Sequence, residues 1–102
     1  MILEAKVQYA EVDDKFFSCL NAVVLDRGTP TREKYDVQIV GGWEGIEEMR
    51  GLRKQKASQE DLEQAAAQVP LPVEDQVLLL DVVKVKANQG FVKLVCRVAQ
   101  AA

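Results

Sequence analysis

At 102 residues the chain is long enough for one domain and too short for two, so we take residues 1–102 as a single unit. Apolar residues make up 48% and β-formers run the whole length, which argues against global disorder, while 28% charged residues give a soluble surface. The chain has no histidine and two cysteines, so Ser-His and Cys-His mechanisms are excluded and a structural zinc site has no ligand set. Net charge is −3, which counts against nucleic-acid binding until its distribution is considered.

The opening residues, MILEAKVQYAEV, lack a basic region followed by an apolar one, so no signal peptide is expected. The longest strongly apolar stretch, residues 77–85, is broken by Asp81 and Lys84 and falls far short of the ~20 residues of a spanning helix. We therefore expect a cytoplasmic protein with no membrane association. Cys19 and Cys96 sit inside apolar runs and are expected as reduced core residues.

Residues 2–12 alternate, with Leu3, Ala5, Val7 and Tyr9 opposite Glu4, Lys6 and Gln8, which predicts a half-buried strand. Asp13-Asp14 then marks a turn, and residues 16–25 predict a buried second strand. Residues 26–34, DRGTPTREK, have loop composition. Residues 35–40 alternate again as a third strand, with Tyr35, Val37 and Ile39 on one face, and Gly41-Gly42 ends it.

Residues 43–69 form the helical part. Trp43, Ile46, Met49 and Leu52 recur at spacing three, interrupted by Gly45 and Gly51 at up to ~1 kcal/mol each. Ser58 is a good N-cap, and Leu62, Ala65, Ala66 and Val69 make a core-facing stripe before Pro70 and Pro72 end the helix. Trp43 and Tyr9 are expected in the core. The last third predicts a hairpin: a Val/Leu-rich strand from 77 to 86, a turn at Asn88-Gln89-Gly90, and a strand from 91 to 99. On that last strand Val92, Leu94, Cys96 and Val98 face inward, opposite Phe91, Lys93 and Arg97.

The expected fold is thus α+β, mainly β, in the order β-β-β-α-β-β. It is either an OB-like barrel or a twisted antiparallel sheet with one helical segment. This order, together with the C-terminal hairpin KVKANQGFVKLVCRV, resembles small OB-fold single-stranded-DNA-binding proteins, including the phage type. The resemblance implies a non-enzymatic protein that coats or guides single-stranded DNA.

Charge is blocked along the chain. Residues 1–49 carry ten acids and five bases, 50–56 four bases, 57–75 five acids, and 76–102 four bases and one acid. Basic and acidic surfaces can therefore separate in space. Candidate nucleic-acid contacts are Phe91, Lys93 and Arg97 on the last strand, Lys84 and Lys86 on its partner, and Lys6 on the first strand. The run Arg50, Arg53, Lys54 and Lys56 adds to them. An aromatic ring can stack on a base while cations follow the phosphates. The competing reading is a small acidic protein-interaction or inhibitor domain, whose acidic blocks at 11–14, 44–48 and 60–63 imitate nucleic-acid charge before a basic protein. No enzyme activity, cofactor or metal is expected. The apolar surplus in the second strand and in residues 78–83 leads us to expect a homodimer.

Overall fold

The computed structural model describes residues 1–12 and 17–101. Its elements in chain order are β1 (Ile2–Lys6), β2 (Tyr9–Val12), β3 (Phe17–Asp26), β4 (Thr29–Gly41), α1 (Ile46–Lys54), α2 (Gln59–Ala67), β5 (Val77–Asn88) and β6 (Phe91–Ala101). The architecture is α+β and mainly β, with the helical segment between β4 and β5. That segment consists of two short helices. The acidic turn at Asp13-Asp14, and Phe16, lie outside the described residues.

The expected first strand is split into β1 and β2, which lie end to end along β3. At the split, Val7 donates its N–H to Gln76 (2.9 Å) and its carbonyl accepts from Asp75 (2.7 Å). The interruption takes up one residue and reverses the alternation. Ala5 and Val7 are buried, and then Ala10 and Val12 pack against the core. Tyr9, expected in the core, is therefore turned outward and is 53% exposed.

The loop expected over residues 26–34 is instead a tight turn with strand on both sides. Arg27 and Gly28 both take positive φ, and Asp26 pairs directly with Thr29, the geometry whose twist matches flanking strands. The irregular step that follows is satisfied locally. The Thr31 hydroxyl donates to the Val24 carbonyl (2.8 Å) and accepts from the Glu33 N–H (3.1 Å).

The sheet closes into an uneven ring. Neighbours run β1-β5-β6-β4-β3-β2, and β1 pairs with β3 as well as with β5, whereas β2 pairs with β3 alone. The purely antiparallel alternative needs correction, because β4 and β6 run parallel, with Val37 beside Leu94 and Ile39 beside Cys96. Inside the ring lie Phe17, Ile39, Leu78, Leu80 and Cys96, covered by Ile46 and Met49 of α1 and by Val69 beyond α2. Each large apolar side chain so buried contributes roughly 1.5–3 kcal/mol. Trp43 packs on this core beside Phe17, with ring centroids 5.6 Å apart, and its Nε1–H donates to the Pro70 carbonyl (2.5 Å). Ser58 caps α2 as its position predicts, its hydroxyl accepting from the Asp61 N–H at 3.2 Å.

Gly42 is fixed by its surroundings. Its φ is +76°, and a Cβ there would stand 2.9 Å from the Val98 carbonyl carbon and closer still to its oxygen. Gly28, at φ +81°, has open space around it. Alanine at Gly28 should cost about 1–2 kcal/mol, the left-handed penalty alone. Alanine at Gly42 should cost well beyond that, because backbone must also move. Urea unfolding of the two variants checks the difference; equal losses would mean that the Val98 contact does not constrain the turn.

Candidate nucleic-acid interface

The β5–β6 hairpin runs past the end of the ring, where β1 no longer flanks β5. The core ends there, so Val83, Val85 and Val92 on the inner side and Phe91 on the outer side are all exposed. Which side chains share a face is set by a β-bulge. Val82 pairs with Cys96 and Lys84 with Val95, so Val83 is the extra residue. From Leu78 and Leu80, simple alternation would send Lys84 and Lys86 toward the inner face. The bulge shifts the count by one, and both lysines join the outer face.

The outer rail then runs through three cross-strand pairs: Lys84 with Val95, Lys86 with Lys93, and Asn88 with Phe91. Gly90 closes the turn at φ +84°. Phe91 is 48% exposed at the tip. Lys84 and Lys86 are exposed and Lys93 is half-buried. Of the ten candidate residues, these four are brought together.

Arg97 is not part of that group. It stands opposite Asp81, and its guanidinium lies over the bare surface of Gly41. It donates to Glu47 at 3.1 Å, which ties β6 to α1. Lys6 is likewise engaged, 3.8 Å from Asp75, on the β1 side of the ring.

The second basic group belongs to α1. Arg50 donates to the Val40 carbonyl (2.5 Å), and Val40 is the extra residue where the β4–β6 register slips. It therefore satisfies a carbonyl that the ladder leaves out. Arg50, Gly51, Arg53 and Lys54 line a shallow depression of about 620 Å³, with Lys56 exposed just beyond the helix. Arg53 and Lys54 also complement the C-terminal end of the α1 dipole. This helix starts from the Gly41 end of the sheet, whereas Phe91 lies at the hairpin tip.

Two further residues face the hairpin tip. Lys34 and Asp36 share the outer face of β4, and Asp36 is level with Lys93 in the parallel register. With Tyr35, Ala87, Gly90, Phe91 and Val92 they line an open cleft of about 540 Å³. The sequence reading missed Lys34 because it fell in the expected loop. Carrying the 35–40 alternation back by one residue would have placed it beside Asp36.

The Cys96 thiol is buried, and desolvation, reinforced by Asp81, pushes its pKa up to about 11. The Cys19 side chain lies outside the described residues. Among the described residues, no three His, Cys, Asp or Glu side chains are grouped to hold a metal ion, and no helix is long and apolar enough to cross a membrane. No protein-family model, no curated protein and no solved structure matches this chain.

Two outcomes follow from these placements. Arg97→Ala should lower stability by only about 0–1 kcal/mol, since the Glu47 pair is exposed on both sides; a larger loss in urea unfolding would show that packing on Gly41 matters more than the charge. Cys96 should resist iodoacetamide at pH 8 in the folded protein and react in urea, as read by peptide mass mapping. Because the folded thiol holds its proton more tightly than the unfolded one, the stability it carries is complete below about pH 9 and falls as pH rises toward 11.

Proposed function

We propose that the protein is a non-enzymatic single-stranded nucleic-acid-binding module and that the β5–β6 hairpin is its binding element. The observation that carries this is the outer rail, where exposed Phe91 stands next to the Lys86–Lys93 pair, with Lys84 behind. A base stacked on Phe91 would place its flanking phosphates along these lysines. Like charges directly opposite one another, as Lys86 and Lys93 are, are unfavourable within a sheet, and a bound anion relieves them. The ring closure and the helical segment between β4 and β5, the third and fourth strands when β1 and β2 are counted as one split strand, support an OB-like reading. In that fold the loop between the last two strands is one of the binding elements. Arg97, Lys6 and Arg50 leave the proposed contact set, being held by other groups. The buried free thiol of Cys96 supports a reducing, cytoplasmic setting.

The lysines also bear on the expected homodimer. Beyond Val82 the open edge of β5 has no strand partner among the described residues. An antiparallel self-pair there, outer face to outer face, would set Lys84 and Lys86 against their own copies. The proposal therefore needs only one chain per binding face.

Fluorescence anisotropy with labelled oligo(dT) tests the proposal. Affinity should fall as salt rises, with a log–log slope near −2 for three lysine–phosphate contacts at about 0.7 each. Phe91→Ala should weaken binding roughly 5- to 150-fold, the equivalent of ~1–3 kcal/mol. Joint alanine replacement of Lys84, Lys86 and Lys93 should flatten the salt slope, whereas Arg97→Ala should leave both affinity and slope unchanged. Absence of binding at low salt would reject the proposal in favour of an acidic surface that meets a protein partner.

A further inference from the structure

The cleft beside the hairpin tip contains one group that a phosphate-binding surface does not need. Asp36 lines it together with Phe91 and Lys34, and Lys93 is its neighbour across the β4–β6 pairing. Its carboxylate is half-buried and makes no ion pair or side-chain hydrogen bond among the described residues. A free carboxylate repels a phosphate, so the backbone of a bound strand belongs on the lysines to either side. What remains for the cleft is a base, with Phe91 on its face and Asp36 at its edge. At about 540 Å³ the cleft falls within the ~300–1,000 Å³ typical of small-ligand sites.

A carboxylate is an acceptor only, with two oxygens side by side. Guanine is the base that offers two adjacent donors, N1–H and the N2 amino group, on its pairing edge. Thymine offers a single N–H between two carbonyl oxygens, which a carboxylate opposes. Cytosine and adenine each offer one amino group beside an acceptor nitrogen. Building on the single-strand-binding reading, we infer that this cleft selects guanine, held bidentate by Asp36 and stacked on Phe91, with Lys34 and Lys93 taking the flanking phosphates.

The test compares three labelled 12-mers by anisotropy: all-dT, dT with two isolated dG residues, and the same with deoxyinosine in place of dG. Isolated guanines avoid four-stranded association. The dG strand should bind at least about fivefold tighter than all-dT, the scale of one bidentate base contact. Inosine, which keeps N1–H and loses the amino group, should forfeit most of that gain. Asp36→Asn should erase the dG preference while all-dT affinity holds or rises, since one negative charge is gone. Equal affinity for dG and dT strands, or a preference that survives Asp36→Asn, overturns the guanine inference and leaves the single-strand reading standing. Failure of all three strands to bind the unaltered protein overturns both.

Discussion

Closure of the ring depends on β1. This strand of five residues is hydrogen-bonded on both edges, to β5 through Ile2–Lys6 and to β3 through Glu4–Lys6. Without it the β3–β4 and β5–β6 hairpins would be joined on one side only, through the parallel β4–β6 pairing. The buried layer of Phe17, Ile39, Leu80 and Cys96 would then open to water. Its short length has a second effect. At one end Val7 hands over to the Asp75–Gln76 segment, and at the other the Met1 carbonyl accepts from the Val82 N–H. Beyond Met1 no strand among the described residues lies between β3 and β5, and the two hairpins run on past the ring.

That geometry explains how an acidic chain can present a basic surface. The helical segment carries exposed acids, Glu44 just before α1, Glu48 in its first turn and Glu60, Asp61 and Glu63 on α2, and it covers the ring from the Gly41 end of β4. The hairpin tip carries Lys84, Lys86 and Lys93 and has Asp36 as its nearest acid in register. At physiological ionic strength charges are screened over about 8 Å, so a ligand at the tip senses the lysines rather than the net charge. Arg97 marks the boundary between the two regions. Its pair with Glu47 uses one basic charge to bind helix to sheet.

The class of the fold was legible because its strongest signals are local. Strict alternation over 35–40, the Ser58 cap, the stripe on α2 and the Gly90 turn all depend on near neighbours in sequence, and each appears where the residues predict. What could not be read is where the alternation slips. The break after Lys6, the extra Val83 and the extra Val40 arise from matching strands of different curvature around a closed ring, and no residue type announces them. Tyr9 was misplaced for that reason. The parallel partner of β4 was equally hidden, because pairing across the ring is a long-range choice. For the site, sequence grouped the bases by proximity and so included Arg97, Lys6 and Arg50. Their acceptors, Glu47, Asp75 and the Val40 carbonyl, come from distant segments.

The Val83 bulge links fold and site more closely than any other feature. Strand β5 must give Leu78 and Leu80 to the core in its first half and has no core to serve in its second. An unbroken alternation would carry the inner face onward through Lys84 and Lys86, leaving Val83 and Val85 on the outer rail beside Phe91. That rail would then be apolar with a single lysine at position 93, an edge prone to pair with other chains. With the bulge, the valines follow the inner side and the lysines line up with Lys93 and Phe91. One unpaired residue thus converts the free half of the strand from an aggregation hazard into a charged surface, and the core half keeps its packing.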